Sequence, residues 1–557
     1  MITREAALEA MQVEAFDVLV IGGGITGAGV ALDAASRGYS VALVERGDYS
    51  QGTSSRSSKM VHGGLRYLQN FDLGLVREAL MERQLMVHLA PHLVYPTPYL
   101  VPALGDSRRD LRIGIGLNAY DVMATSRIGR GRSQRAEHVG EGEYWSPDRH
   151  RTISGEEAAK LAPALAPSEP SSAYLFYDCQ TDDSRLVLTI LGEAERFGAV
   201  LLNGADVTEI LDEDGRATGV RCREAESGES FEIGAANVVN ATGVWADTIR
   251  PDEILTEEEI PRIAPSRGTH IALSTADLEV GEAAFLVPAG EGRTVMVLPW
   301  YGHALIGPTD NDYDGDLEHV PPGSEDIDYL LDAVNTYLQL DLSRDRITGA
   351  YAGVRPLISS GDPKKSVDIS RKAELYETSS GMLTITGGKL TTWRRMAQQT
   401  VDRIVERDGR EAECRTDDIP LGMPARPEDL ESDLELPAGA REQLAFRYGH
   451  AARRVLDLCT ERPELAEPIV PGMPDLLAEA VLAARSEQAR TVADVLLRRT
   501  RLGLVEAVGL RDGERLGAVA DAMAAELGWS KQRVAAELES WAALVAAEGL
   551  DPAATAA

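Results

Sequence analysis

Residues 16–46 read FDVLVIGGGITGAGVALDAASRGYSVALVER, and this stretch decides the fold. Residues 16–21 form a mostly apolar run, rich in β-branched side chains and followed by glycines, which predicts a short buried strand. The next residues keep helical apolar spacing to residue 37, and Gly38 marks the helix end. Residues 40–44 form a second apolar run that ends at Glu45. The order strand, glycine turn, helix and strand predicts a βαβ unit.

The glycine turn matches G-x-G-x-x-G, the spacing of turns that bind a dinucleotide. Gly22 would allow the tight bend, Gly24 the approach of a pyrophosphate, and Gly27 the close packing of helix on strand. The helix N-terminus would face the negative charge. Glu45 follows Gly22 by 23 residues, close to the roughly 20 at which an acidic side chain meets a ribose hydroxyl. A turn used only for packing is the alternative, and the complete unit favours dinucleotide binding.

The charge of the chain limits its partners. Among its 557 residues, 89 are acidic and 56 basic, which gives a net charge of −33. Such a surface repels nucleic acid and anionic lipid unless basic residues cluster locally. Only seven of the basic residues are lysines. An acidic, lysine-poor surface suits a high-salt cytoplasm, but a GC-rich genome would give the same bias.

Cysteine spacing and hydropathy indicate a cytosolic protein without a membrane span. The four cysteines are far apart and form no C-x-x-C, so reduced thiols are expected rather than a zinc site or disulfides. They are Cys179, Cys222, Cys414 and Cys459. Residues 1–15 resemble neither a signal peptide nor a transit sequence. No run approaches the roughly 20 apolar residues of a spanning helix, so membrane contact should be peripheral.

Three further segments carry glycines or hydroxyl groups where a cofactor would lie. Residues 53–68 read TSSRSSKMVHGGLRYL, whose small donors and free amides suit a pyrophosphate and a ring system, the alternative being a flexible serine loop. Residues 237–243 read NVVNATG, a buried strand ending in glycine. A strand at 382–386 precedes GGKLTT at 387–392 and a helix at 393–407. In a flavoprotein this helix start would face the N1/O2 edge of the isoalloxazine.

The remaining pattern divides the chain into domains. Helices are expected at 73–89 and 183–197, a hairpin at 206–212 and 217–223, an antiparallel region at 262–345, and helical segments at 440–458, 474–499, 512–527 and 530–548. We therefore assign 15–95, 175–250 and 346–407 to a cofactor domain, 96–174 and 251–345 to a substrate domain, 408–440 to a linker and 441–557 to a helical domain. Residues 91–170 are hard to assign.

With these segments assembled, residues 16–407 resemble the FAD-dependent, respiratory glycerol-3-phosphate dehydrogenases. The most specific motifs are SSKMVHGGLRYL at 57–68, LPW at 298–300, GVRPL at 353–357 and GGKLTT at 387–392. The helical tail, with DVLLRRTR at 494–501, also looks like the C-terminal domain of the family. The resemblance implies an α/β fold: a Rossmann-type FAD-binding domain of the glutathione-reductase-like or D-amino-acid-oxidase-like kind, an antiparallel-sheet substrate domain and an all-α C-terminal domain.

The resemblance also implies the site residues. The residues expected to bind FAD are Gly22, Gly24, Gly27, Glu45, Arg46, Thr53, Ser54, Ser55, Ser58, Lys59, His62, Gly63, Gly64, Ala241, Thr242, Gly243, Gly388, Lys389, Leu390 and Thr391. The residues expected to bind substrate are Arg66, Tyr67, His270, Thr309, Arg355, Arg371 and Lys389. The chain has Gly307-Pro308-Thr309-Asp310 where the bacterial family usually has Gly-Thr-Thr-Asp. This departure puts a phosphate contact at position 308 in doubt and leaves Thr309 as a candidate.

The residue types support this chemistry independently. Planar guanidinium groups suit a phosphate dianion, and Arg66, Arg355 and Arg371 each lie beside a glycine turn or strand end. Lysine kept at Lys59 and Lys389, in a chain that otherwise uses arginine, suggests that a compact ammonium is needed at both motifs.

The expected catalytic residues are His270, Arg355 and Lys389. The expected reaction is oxidation of sn-glycerol 3-phosphate to dihydroxyacetone phosphate, with hydride transfer from C2 to flavin N5. His270 is the first candidate for the base, with Arg355 or Lys389 polarising the developing alkoxide, and the sequence ranks these no further. A structural histidine is the alternative.

The resemblance implies electron transfer to a membrane quinone from the cytoplasmic face of the cell membrane. A glycerol-3-phosphate oxidase that uses oxygen would share the pocket, and no short motif separates the two. Another FAD oxidase of this fold, such as an amino-acid oxidase, would need one arginine rather than several. A flavin-containing tRNA-modifying protein should have a basic surface, which this chain lacks. Whether the chain forms a homodimer stays open.

Overall fold

The computed structural model describes residues 3–64, 72–103, 111–124, 148–249, 262–290, 293–359 and 373–552. The strands are β1 Ala15–Ile21, β2 Val41–Val44, β3 Met60–Val61, β4 Tyr95–Ala103, β5 Arg151–Ser154, β6 Ser172–Gln180, β7 Val200–Leu202, β8 Ala205–Glu213, β9 Arg216–Glu224, β10 Ser230–Asn240, β11 Arg262–Ser274, β12 Ala284–Pro288, β13 Thr294–Trp300, β14 His303–Gly307, β15 Asn311–Asp312, β16 Ile347–Ser359, β17 Ala373–Glu377 and β18 Leu383–Gly387.

The longer helices are α1 Arg4–Val13, α2 Ile25–Ser36, α3 Leu73–Leu89, α4 Leu111–Ala124, α5 Gly155–Leu161, α6 Asp183–Arg196, α7 Ser324–Leu338, α8 Trp393–Asp408, α9 Ala440–Tyr448, α10 Ala452–Glu461, α11 Leu477–Ser486, α12 Gly513–Leu527 and α13 Lys531–Glu548. In the described part of the chain, no helix is long and apolar enough to cross a membrane.

The first sheet contains the βαβ unit predicted from residues 16–46. Its parallel strands run in the order β18, β10, β1, β2 and β7, with β17 antiparallel on the outer side of β18 and the β8–β9 hairpin joined to β10. Strands β1 and β2 are almost wholly buried because α2, α6 and α8 cover one face of the sheet, while α1 and the β8–β9 hairpin pack on the other. This arrangement brings the carboxyl ends of β1, β10 and β18 to one edge, where ligands of such sheets bind.

The second sheet is mostly antiparallel and faces that edge. Its ten strands include the order β15, β11, β14, β13, β12, β4, β6 and β3, with β16 paired to β11 and β5 to β6. Helix α7 packs its apolar side on this sheet through Ile327, Leu330 and Val334. The antiparallel region predicted at 262–345 is therefore present. The long pair β11 and β16 stays in register from Arg262 opposite Ser359 to Ala272 opposite Gly349.

Each of the three ranges predicted for the cofactor domain contains residues of the second sheet, beginning with β3 in 15–95. We placed 346–407 wholly in the cofactor domain, yet β16 pairs with β11 in the second sheet. We also placed 175–250 there, yet β6 pairs with β4 in the second sheet. The reason is that sheet membership depends on long-range pairing, which local periodicity does not reveal.

The C-terminal region is all-helical; the helices predicted at 512–527 and 530–548 are present as α12 and α13, whereas two other predicted segments break. The segment expected at 474–499 breaks after α11, where Gln488 adopts a φ of 55°. Its side chain leaves the helical domain, donates to the Leu201 carbonyl and accepts from the Asn203 N–H beside β7. The segment expected at 440–458 breaks at Gly449 between α9 and α10. Docking on the first domain therefore ends the helix that periodicity would extend.

Candidate active site

One continuous cavity lies between the two sheets, at the edge where β1, β10 and β18 end. Its lining runs from the glycine turn and the end of β2, past the loop that precedes β3, to side chains of β11, β16 and the turn after β18. Predicted site residues in this lining are Gly22, Gly24, Glu45, Arg46, Thr53, Ser54, Ser58, His62, Ala241, Thr242, Gly243, His270, Arg355, Gly388, Lys389, Leu390 and Thr391. The fold thus brings most of the predicted residues together.

The glycine turn has the geometry that the sequence predicts. Gly22 has a φ of +109°, and a Cβ there would lie 2.7 Å from the Ala241 carbonyl oxygen. A Cβ at Gly27 would overlap the Gly22 carbonyl oxygen. Helix α2 can therefore approach the turn only because position 27 has no side chain. Ser54 accepts a hydrogen bond of 2.9 Å from the Ile25 N–H, so its hydroxyl joins the first turn of α2 to the next loop.

Glu45 lies at the end of β2 and holds the turn from the other side. Its carboxylate accepts hydrogen bonds from the N–H groups of Gly23, at 2.7 Å, and Gly47, at 2.9 Å. Burial raises the pKa of Glu45, although these two bonds act in the opposite direction. The carboxylate therefore orders the turn as well as lining the cavity.

The contacts within this cavity suit FAD as its ligand. The turn places backbone N–H groups and the start of α2 at one end of the cavity, which suits a pyrophosphate. Arg46 stacks over the Trp245 ring at 4.5 Å, and both line the same end. At the other end, Lys389 caps the short helical turn Leu390–Thr392. Thr391 donates to the His62 carbonyl at 3.2 Å and accepts from its N–H at 3.2 Å, which joins two predicted cofactor motifs.

His270 points into a buried part of this cavity. Its Nε2 lies 2.9 Å from Ser58 Oγ, and its ring stacks on Tyr351 at 4.8 Å with an interplanar angle of 14°. Its Nδ1 has no hydrogen-bond partner within the described ranges. Burial, together with the charges of Lys59 and Arg355, lowers the pKa of His270 well below its usual value. The imidazole is therefore neutral near pH 7.

Arg355 projects from β16 towards β11 and is oriented by its neighbours. Its Nη1 lies 3.1 Å from Asp310 and 3.2 Å from Ser266 Oγ, and its Nη2 donates to the Thr309 carbonyl at 3.0 Å. A Cβ at Gly268 would lie 2.6 Å from Nη2, so this glycine makes room for the guanidinium group. The plane of the guanidinium is thus fixed by the protein itself.

Thr309 contacts Arg355 through its backbone rather than its hydroxyl group. The hydroxyl accepts a hydrogen bond of 3.0 Å from the Thr269 N–H, and the side chain is buried and outside the cavity lining. The structure therefore gives Thr309 a place behind Arg355, and direct contact with substrate stays a prediction.

Lys59 does not line the cavity as the sequence suggested. Its side chain is fully buried and its Nζ donates to both oxygens of Asp183, at 3.0 and 2.8 Å, and to the Ser55 carbonyl at 2.7 Å. Burial and the charge of Arg501 lower the pKa of Lys59 to about 7. The ammonium group lies behind the loop because Asp183, which is distant in the sequence, binds it there.

Four other predicted residues support the cavity without lining it. They are Gly27, Ser55, Gly63 and Gly64. Ser55 offers its carbonyl to Lys59, and the Gly63 N–H donates to the Tyr120 hydroxyl at 2.8 Å. The predictions at Arg66, Tyr67 and Arg371 lie outside the described residues.

The sequence also missed residues at the site. Arg56 and Ser57 line the cavity within the quoted motif, but their neighbours Glu548 and Asp183 are far away in the sequence. Tyr351 stacks on His270, a contact that only the pairing of β11 with β16 creates. Glycine spacing could have indicated Gly268, which opposes Gly353 in that pair, but no local signal indicated Tyr351.

Comparison of the sequence with models of known protein families identifies the class of protein. The model of the FAD dependent oxidoreductase family matches residues 17–394, and that of the C-terminal domain of alpha-glycerophosphate oxidase matches residues 414–534. The chain is therefore an FAD-dependent oxidoreductase with a helical C-terminal domain.

The relatives narrow this class further. A glycerol-3-phosphate dehydrogenase from Mycobacterium leprae is 38% identical over 99% of this chain and 91% of its own length. The chain belongs to the FAD-dependent glycerol-3-phosphate dehydrogenase family. A structure of the glycerol-3-phosphate dehydrogenase from Bacillus halodurans complexed with FAD has a TM-score of 0.76 and 27% identity, with 98% of this chain and 97% of that chain covered.

The same fold occurs in an oxidase. The FAD-bound L-alpha-glycerophosphate oxidase from Mycoplasma pneumoniae has a TM-score of 0.54 at 17% identity, over 72% of this chain and 97% of that one. This likeness concerns the fold alone.

Proposed function

We propose that the protein oxidises sn-glycerol 3-phosphate to dihydroxyacetone phosphate and passes the electrons to a membrane quinone. The observation that carries the first part is the composition of one cavity, in which the dinucleotide turn at Gly22 is continuous with His270, Arg355 and Lys389. The substrate is the one in the name of the 38% identical relative.

The chain supplies positioning and proton transfer. Arg355 offers an oriented guanidinium for the phosphate group, with Arg66 and Arg371 proposed as further contacts. Lys389, at the cavity wall, offers a positive charge for the developing alkoxide at C2. FAD, when bound, supplies the flavin that accepts two electrons and the hydrogen of C2.

His270 would receive the proton of the C2 hydroxyl group. Nε2 lies 2.9 Å from Ser58 Oγ and either atom can donate, whereas Nδ1 is buried, so we place the basic lone pair at Nε2, within reach of the cavity through Ser58. The lowered pKa of His270 keeps this lone pair available at neutral pH. Ser58 would then set the orientation and tautomer of the base.

The quinone acceptor and peripheral contact with the inner face of the cell membrane follow from the family resemblance. Helix α4 offers apolar side chains for such a contact. Ile115 is 70% exposed and Val122 is 67% exposed, and their seven-residue spacing places them on one side of the helix. A lipid-soluble acceptor would reach the protein at such a surface.

The test of the reaction is anaerobic mixing of the purified holoenzyme with glycerol 3-phosphate. We expect bleaching of the flavin absorbance and formation of dihydroxyacetone phosphate, whereas glycerol at the same concentration should leave the spectrum unchanged. Equal reaction with glycerol would contradict the role of the phosphate.

The acceptor is tested in air with a quinone analogue and a peroxide assay. Turnover should depend on the quinone, and little peroxide should form. Peroxide formed at the rate of substrate oxidation would identify an oxidase instead.

A further inference from the structure

The helical C-terminal domain reaches the loop of residues 52–59 through fully buried charges. Arg501 lies on the segment between α11 and α12, and its Nη2 donates to Asp183 at 2.7 Å and to the Ser55 carbonyl at 2.8 Å. Both Arg501 and Asp183 have no exposed side-chain surface. Buried charges of this kind are costly unless every partner is in place. The contact therefore fixes Ser55 relative to the helical domain.

Asp183 transmits this contact to the rest of the loop. One carboxylate oxygen accepts from the Ser57 N–H at 3.1 Å, from Ser57 Oγ at 2.6 Å and from Lys59 Nζ at 2.8 Å. The charges of Lys59 and Arg501 hold the pKa of Asp183 below its usual value although burial opposes them. An ionised Asp183 thus holds both sides of Ser58.

Ser58 lies between these anchors and contacts His270. Its Oγ is 2.9 Å from His270 Nε2, and the Tyr351 ring that stacks on His270 donates its hydroxyl to the Ser57 carbonyl at 2.8 Å. The chain of contacts therefore runs from Arg501 through Asp183 and the loop to the imidazole.

Two other charge pairs join the same surfaces. Asp48, just before the loop, accepts from Arg498 and from Arg499, whose Nη1 and Nη2 lie 2.8 and 2.9 Å away. Arg56, within the loop, donates to Glu548 at the end of α13. Residues 52–54 and 56–58 of this loop line the cavity. Movement of the loop would therefore change the cofactor cavity directly.

We propose that Arg501 is a positioning residue for the cofactor cavity and for His270, acting from the helical domain through Asp183 and the loop of residues 52–59. The part of this inference that concerns His270 rests on the proposed function. The part that concerns the cavity does not, because FAD retention is measurable without substrate.

The first experiment follows release of FAD from diluted holoenzyme by the rise in flavin fluorescence. Arg501→Met should release FAD about ten-fold faster or more, since it removes the hydrogen bond to the Ser55 carbonyl of the loop and leaves Asp183 short of a partner. Arg501→Lys should fall in between, because one ammonium group cannot replace the guanidinium fork. The left-handed backbone at position 501, with a φ of 70°, strains Lys and Met alike.

The control is Met523→Ala, which opens a cavity at a fully buried side chain of α12, a helix that packs against α11 and α13. It should lower the melting temperature of the protein without faster FAD release. Equal release from Arg501→Met and the parent, or equally fast release from Met523→Ala, would overturn the proposal for the cavity.

The second experiment is a double-mutant cycle of Arg501→Met with Ser58→Ala, read out as kcat for glycerol 3-phosphate at saturating FAD. If Arg501 acts through Ser58, the double variant should lose less than the product of the two single losses. Fully multiplicative losses would overturn the link to His270. If the parent does not oxidise glycerol 3-phosphate at all, the proposed function fails while the FAD-release result still stands.

Discussion

The imidazole of His270 lies between Ser58, Tyr351 and the charges of Lys59 and Arg355. A base acts only in its deprotonated form, so kcat should fall as the pH drops through the pKa of His270. Since that pKa is lowered well below 6.5, the acid limb of the parent should lie below pH 6.5. The measurement is kcat rather than kcat/KM, because a phosphate monoester itself titrates near pH 6.

Removing the Lys59 charge should move this limb in a known direction. In Lys59→Met the protonated imidazole loses a repulsive neighbour, its pKa rises, and activity should disappear at a higher pH than in the parent. His450→Gln, at an exposed histidine of the helical domain, should leave the profile unchanged. A parent limb above pH 6.5, or a shift to lower pH in Lys59→Met, would contradict the assignment of His270.

Arg355→Lys tests the proposed phosphate contact. Lysine keeps the charge but loses the planar fork that Asp310 and the Thr309 carbonyl orient. We expect kcat/KM for glycerol 3-phosphate to fall by two to three orders of magnitude, on the order of 3–4 kcal/mol, with normal FAD content. Arg344→Lys, at an exposed pair with Asp328, should change kcat/KM less than about two-fold. Unchanged discrimination between glycerol 3-phosphate and glycerol would argue against the contact.

Lys59 shows where prediction at this scale stops. Its motif and rarity indicated a functional ammonium group, but its direction depends on Asp183 and Arg501, which lie 124 and 442 residues away in the chain. The predicted residues that line the cavity, such as Glu45 and Lys389, follow a glycine turn or strand directly. Local motifs therefore predict which residues near a turn line the cavity, but they predict less well which partner a side chain will contact.

At the scale of elements, the contact between β1 and α2 depends on Gly27. Gly27→Ala would drive a methyl group into the Gly22 carbonyl oxygen and push α2 off the turn. We expect loss of most bound FAD after native purification and a decrease of about 1–3 kcal/mol in the free energy of unfolding, measured by urea denaturation.

The matched control is Gly192→Ala within α6. Nothing lies within 4 Å of a Cβ there, so alanine should keep FAD and stabilise the protein by up to about 1 kcal/mol. Retention of FAD in Gly27→Ala would contradict this prediction, because it would show that FAD still binds when α2 lies farther from the turn.

The elements themselves were predictable where a period or a cap is strong. Helix α3 has the predicted bounds, and α6 begins at the predicted residue 183, after the N-cap Asp182, which accepts from the Arg185 N–H. Prediction was weaker where tertiary docking overrides periodicity, as at Gln488. Membership of β6 and β16 in the second sheet also required long-range pairing. The local sequence contains the N-caps and the hydrophobic periodicity of helices. Contacts with distant parts of the chain decide where a helix breaks and in which order strands pair.

At the scale of the whole molecule, buried ion pairs join the domains, whereas the protein as a whole carries an excess of negative charge. Arg501 with Asp183 and Arg498 with Asp48 are shielded from solvent, so salt should screen them little. The net charge of −33 instead creates repulsion between the protein and an anionic surface. This separation makes salt a probe of membrane contact rather than of domain docking.

The proposed contact through α4 can be tested by flotation with lipid vesicles. Binding to anionic phosphatidylglycerol vesicles should increase between about 0.05 and 0.5 M NaCl, as the screening length shortens, and binding to neutral phosphatidylcholine vesicles should change little. Ile115→Ser combined with Val122→Ser should weaken binding to both, because it removes exposed apolar surface without adding charge. Val13→Ser, at a side chain 76% exposed on α1, is the control and should bind like the parent. Weaker binding at higher salt would mean that a basic patch makes the contact, and an unchanged double variant would move the contact away from α4.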